Sequence, residues 1–160
     1  MYLTLNSADV TLNAATGADD DGKPRRTISG QALPYNKVAR VSGGQLVKFL
    51  PGSVDAAGAP VVRDHDYTRP VGVVVDASDT DDGHHVAARI SATAGGDESL
   101  TLAADKVLTG WSVGASADEY TWDNEGDEPV LVVSAATVRE LSLLVNPAFG
   151  ADSQVTDVAA

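Results

Sequence analysis

The sequence predicts a mainly-β domain with few helices, its sheet closed into a barrel or sandwich. Two observations lead there. Short apolar segments with the two-residue alternation of strands recur along most of the 160 residues, parted by turn-forming Gly, Pro and Asp. One segment alone carries a helical period, with Leu100, Ala103, Ala104, Val107 and Leu108 at i, i+3, i+4, i+7 and i+8. Many short strands and one helix bury their apolar faces most simply when the sheet curls on itself. The 43% hydrophobic content suffices for a core, and with aromatics at 5% that core must be built mostly from aliphatic side chains. We expect a single domain over residues 1–150 and a flexible tail of small and polar residues over 151–160.

Taken in order, residues 1–12 alternate weakly and predict one or two short strands. Residues 14–24 are small, acidic and Gly-containing, which predicts a mobile loop. Strands are expected over Thr27–Tyr35, closing at Pro34, and over Leu46–Leu50, stopped by Pro51-Gly52. Val61-Val62 leads into Asp64-His65-Asp66. Pro70–Val75 has high β-propensity, and His84–Ile90 reads as its returning hairpin partner after an acidic turn. The helix is expected over 97–109, with Asp97 as N-cap and Gly110 just past its end. A strand then opens at Trp111. Glu119–Trp122 and Val130–Val133 flank a polar turn, and Val138–Val145 forms the last strand. No internal repeat is present.

Charge and composition exclude several classes. A net charge of −12 with one small basic cluster (Lys23, Arg25, Arg26) argues against a nucleic-acid surface, which needs clustered cations for phosphates. The absence of Cys removes disulfides, thiol nucleophiles and cysteine zinc sites. No apolar run approaches 18 residues, and the N-terminus lacks a signal-peptide layout, so no membrane association is expected. Asp76, Asp79, Asp81 and Asp82 precede Gly83, yet no register supplies the ligands of a calcium loop; neither a metal nor a cofactor is predicted.

Gly110-Trp111-Ser112-Val113-Gly114 matches the G-x-S-x-G pattern of a hydrolase nucleophile elbow. That elbow runs from strand to helix, whereas here a helix precedes and a strand follows. Ser112 therefore opens a strand, and if it is a nucleophile it belongs to another kind of hydrolase. A serine nucleophile needs a base in reach and a group that orients the base. His65 sits between two predicted strands, from where a side chain can reach a site. His84 and His85 are adjacent after the acidic turn and read as solvated hairpin residues. In the last strand, Glu140 shares a face with Val138, Ser142 and Leu144. A carboxylate there either marks a wet edge strand or is buried with a hydrogen-bonded partner such as an imidazole.

Five blocks in this order resemble the prohead (capsid maturation) serine proteases of tailed bacteriophages. They are Ile28-Ser29-Gly30 with Ala32 and Tyr35-Asn36; Phe49-Leu50-Pro51-Gly52-Ser53; Asp64-His65-Asp66 with Pro70-Val71-Gly72; Leu108 to Gly114; and Glu140 to Leu144 with Asn146-Pro147-Ala148. The resemblance spans roughly residues 25–150. It implies a closed β-barrel of the herpesvirus-protease type flanked by helices, with Ser112 as nucleophile, His65 as general base and Glu140 as third member. It further implies an endopeptidase that cleaves scaffolding and capsid proteins, and itself, inside the procapsid in the host cytoplasm. The implied partners are the major capsid protein and a scaffolding protein or segment, with a possible homodimer. A different class of reading is a catalytically inactive assembly or scaffolding component that keeps the protease fold. A metal- or ligand-binding barrel would rest on the Asp clusters alone.

Overall fold

The computed structural model describes residues 2–6 and 26–145. In chain order these form β1 (Tyr2–Asn6), β2 (Thr27–Pro34), β3 (Val38–Arg40), β4 (Leu46–Phe49), β5 (Pro60–Arg63), β6 (Asp66–Asp79), β7 (Gly83–Ile90), α1 (Ala94–Ala104), β8 (Gly110–Asp123) and β9 (Val130–Leu144). The loop expected over 14–24 and the tail over 151–160 lie outside the described residues.

All the described strands join one sheet, with a path β1-β8-β9-β5-β6-β7-β2 and with β4 pairing β3 and β9. The fold is mainly β with one helix among the described residues. Among the described residues the expected closure is not made. The path is open, ending at β1 and β2, and the sheet is a curled half-barrel. Leu3 of β1 and Ile28, Ala32 and Leu33 of β2 nevertheless belong to one buried cluster, so the two ends curve over a shared core without pairing. Burial of aliphatic side chains, each contributing roughly 1.5–3 kcal/mol, is what favours the curl.

Strand β9 is the spine. It pairs antiparallel with β8 along its length, and in parallel with β4 near its start and β5 near its end. Its last five residues, 140–144, are therefore buried on both faces. Leu141 and Leu143 lie opposite Val113 and Trp111 on one face; Glu140 and Ser142 lie opposite Gly114 and Ser112 on the other. The segments expected as four separate strands, Trp111 onward, Glu119–Trp122, Val130–Val133 and Val138–Val145, are two continuous ones. Register shifts at Gly114/Ala115, Ala117/Glu119 and Glu119/Tyr120 bend β8 without ending it, which is how an extra residue acts in a ladder.

The helix is displaced from its expected span. It is capped by Thr93, whose hydroxyl accepts from the Gly96 N–H at 3.1 Å. It ends at Ala104 with Asp105 as C-cap, and Lys106 beyond it takes φ 59°, its N–H donating to Ala103 O while the Val107 N–H donates to Leu102 O. That pair of bonds is a Schellman closure with lysine where glycine is usual. Leu108 is fully buried as part of the linker to β8 and Val107 is exposed, so the apolar period over-ran the helix by one turn. Asp97 lies in the first turn and pairs with Arg26 at 2.6 Å. No helix among the described residues is long and apolar enough to cross a membrane.

Candidate active site

His65 occupies a two-residue hairpin turn. Arg63 at the end of β5 pairs with Asp66 at the start of β6, leaving Asp64 and His65 as the turn, with φ of 54° and 58°. Two successive positive φ values are those of a type I′ turn, which Asn-Gly or Asp-Gly normally fills. A histidine here adopts a backbone region that L-residues avoid, so it must be held by its surroundings.

The holding groups come from β9. The His65 N–H donates to Ser142 Oγ at 2.9 Å, and the Asp64 N–H reaches Leu143 O at 3.3 Å. His65 Nδ1 lies 2.6 Å from Glu140 Oε1, and Ser142 Oγ donates to Glu140 Oε2 at 2.8 Å. Glu140 is wholly buried, while 27% of the His65 side chain is exposed. Burying a carboxylate is costly unless it is paired and hydrogen-bonded; here both oxygens have partners. Of the two readings open for Glu140, the structure shows the hydrogen-bonded one.

Ser112 is the cross-strand partner of Ser142 in β8, and Val62 is the partner of Ser142 in β5. Directly opposed residues share a face at about 4.5–5.5 Å between Cβ atoms. Ser112, Ser142 and Glu140 thus lie on one face, and Ser142 touches the His65 turn. Of the sequence-predicted site residues, the structure joins His65 to Glu140 and places Ser112 on the Glu140 face, opposite Ser142. It does not join Ser112 to His65 directly: His65 Nε2 is buried and makes no hydrogen bond. Ser112 is fully buried, and β1 runs beside it with Asn6 opposite. Gly114 faces Glu140 across the ladder, so a side chain at 114 would project beside the carboxylate. Beside the turn, Arg63, Arg69 and Pro70 face Thr93, Gly95 and Glu98 of the helix start across a cleft of about 340 Å³.

Two residues escaped the sequence reading. Ser142 was legible only as a neighbour of Glu140, although an i, i+2 pair on one face of a strand was the signal for shared contacts. His84, expected in solvent, is buried. Its Nδ1 lies 2.7 Å from Asp79 Oδ1, and its Nε2 accepts the Ala56 N–H at 3.1 Å. Tyr35 donates to the same Asp79 oxygen at 2.6 Å. Burial, then the hydrogen bond to Asp79, pushes the Tyr35 phenol well above the usual range. At Asp79 burial pulls upward, but the bonds from Tyr35 and His84 prevail and hold the carboxyl below its ordinary value. The cluster ties the β6–β7 hairpin to the Ala56 loop and stands apart from His65. Among the described residues no group of three or more His, Asp or Glu is placed to hold a metal.

A histidine whose Nδ1 is tied to a buried carboxylate and whose Nε2 is unbonded, beside a sheet face that carries a serine, has the parts of a serine hydrolase. Residues 13–159 match the family model of the caudovirus prohead serine proteases. The chain belongs to that family, which is a family of serine proteases. Its fold is similar to the solved structure of the bacteriophage T4 capsid assembly protease, gp21, with a TM-score of 0.59 and 12% identity, covering 91% of this chain and 98% of that one. No curated protein matches the sequence.

Proposed function

We propose that this chain is the maturation endopeptidase of a tailed-phage procapsid, with Ser112 as nucleophile, His65 as general base and Glu140 as the group that orients the base. The observation that carries the reading is the 2.6 Å contact between His65 Nδ1 and Glu140. With Nδ1–H given to the carboxylate, Nε2 is the basic nitrogen. It takes the Ser112 Oγ proton as the oxygen attacks a peptide carbonyl, and returns it to the leaving amine as the C–N bond breaks. The acyl-enzyme is then hydrolysed by water that Nε2 deprotonates. Glu140 stays ionised and stabilises the imidazolium formed in each half-reaction, while backbone N–H groups stabilise the oxyanion. Contacts between serine and base are commonly long before substrate binds, which accommodates the unbonded Nε2.

The substrates are the scaffolding protein or scaffolding segment, the major capsid protein, and the protease itself, inside the procapsid in the host cell. Membership of the prohead protease family supports this. The cleft lined by Arg63, Arg69 and Glu98 is the seat for part of the peptide substrate. An inactive scaffolding component would be free to lose the His65–Glu140 pair, and its retention argues against that reading. The test is co-expression with the capsid partner. Wild type should process it and Ser112→Ala should leave it intact; equal processing by both would refute the assignment.

A further inference from the structure

We infer that Ser142 is a positioning residue of this site, one that holds the His65 turn and orients the carboxylate that sets which imidazole nitrogen carries the proton. The inference rests on the serine-protease reading above and goes beyond its three residues. Ser142 Oγ closes a ring of hydrogen bonds: it accepts the His65 backbone N–H at 2.9 Å and donates to Glu140 Oε2 at 2.8 Å, and Glu140 Oε1 meets His65 Nδ1 at 2.6 Å. Backbone and side chain of the same histidine are thereby referred to one carboxylate.

A hydroxyl has one proton to give. In this ring it goes to Glu140, so the 3.3 Å approach of Ser142 Oγ to Nδ1 is no donation to the ring nitrogen. The ionised Glu140 only accepts, so Nδ1 carries its own proton to bond Oε1, and Nε2 keeps the lone pair that a base needs. Ser142 holds the carboxylate in place for that bond. Ser142 also supplies the bond that holds His65 at φ 58° in its turn. Its cross-strand partner is Ser112, so the residue that sets the base stands on the strand beside the proposed nucleophile. Removing the hydroxyl frees both the turn and one carboxylate oxygen, and misplacement of a reacting group by about 1 Å can cost a hundredfold in rate.

The experiment compares wild type, Ser142→Ala and Ser142→Cys. Cysteine keeps the volume of a fully buried position but is a weak donor, so it remains informative if the alanine variant folds poorly. Labelling by a fluorophosphonate gives the maximal inactivation rate and the half-saturating concentration separately, and proton NMR reads the low-field Nδ1–H signal. We expect the maximal rate to fall about ten- to a hundredfold, with half-saturation unchanged within about twofold, and the Nδ1–H signal to be lost or displaced. In a cycle with Glu140→Gln the two losses should be less than additive, because both act through one ring. An unchanged signal with a rate within about twofold of wild type overturns the inference, as do fully additive losses. A wild type that is not labelled at Ser112 refutes the nucleophile assignment instead, and the NMR signal still decides the role of Ser142.

Discussion

Replacing Glu140 by Gln changes no heavy-atom shape, yet it forces a choice on the site. The amide presents one oxygen and one NH2 where the carboxylate presents two acceptors, and those two positions face His65 Nδ1 and Ser142 Oγ. With the NH2 toward His65, Nδ1 must become an acceptor and the proton moves to Nε2, where it blocks uptake of the serine proton. That is the wrong-tautomer situation, worth about 10⁴ in kcat in the well-studied Ser-His-Asp case. With the NH2 toward Ser142, the tautomer survives but the negative charge is gone. A charge-assisted bond of about 1.5–3 kcal/mol is then replaced by a neutral one near 1 kcal/mol, and the imidazolium loses its counter-charge. The difference, about 0.5–2 kcal/mol at roughly 1.4 kcal/mol per decade, sets a floor of about two- to thirtyfold. We predict a loss of more than about twofold, reaching about 10⁴-fold if the tautomer inverts, in the rate of capsid-protein processing by purified enzyme. Thermal unfolding should show the variant folded under assay conditions. A folded variant within about twofold of wild type would refute the reasoning.

Three further expectations concern the scaffold. Gly96→Ala should destabilise by about 1–3 kcal/mol in denaturant titration despite alanine's helix propensity, since a Cβ there would lie 2.0 Å from Ser91 O; a gain in stability would contradict the packing. Lys106→Gly should stabilise by up to about 1 kcal/mol, relieving the left-handed strain at the helix end, and a loss of stability would oppose the Schellman assignment. Asp79 has a depressed folded pKa. Its contribution is therefore fully present above the unfolded value near 3.9 and is lost as pH falls through the lower folded value. Stability measured from pH 7 down through that range should fall more steeply in wild type than in Asp79→Asn; parallel curves would sink the claim.

Much of the strand pattern was legible because alternation survives burial on one face: Thr27–Pro34 and Gly83–Ile90 emerge almost as expected. The long β8–β9 pair was hidden for a physical reason. Asp118 and Glu119 interrupt the apolar alternation where register shifts throw successive side chains out of phase. The helix was misplaced because Thr93 and Asp97 both suit an N-cap, and because buried Leu108 continues a helical period beyond a chain reversal that a lysine makes. Strand order was beyond the sequence. The opposition of Ser112 to Ser142, and of Val62 to Ser142, depends on β9 lying between β8 and β5, which periodicity does not encode. The candidate site was read in part. Ser112, His65 and Glu140 each stood out by type and context, but Asp64-His65 lacks the glycine that signals a tight hairpin. The ring through Ser142 exists only once β5 and β9 are paired.

The most direct test is a crystal structure of the protein after reaction with a fluorophosphonate. The account predicts phosphorus bonded to Ser112 Oγ, with His65 Nε2 within about 3.2 Å of that oxygen or of a phosphonate oxygen and the Nδ1–Glu140 contact intact. Phosphorus on another hydroxyl, or an imidazole turned away from Ser112 in the adduct, would contradict it.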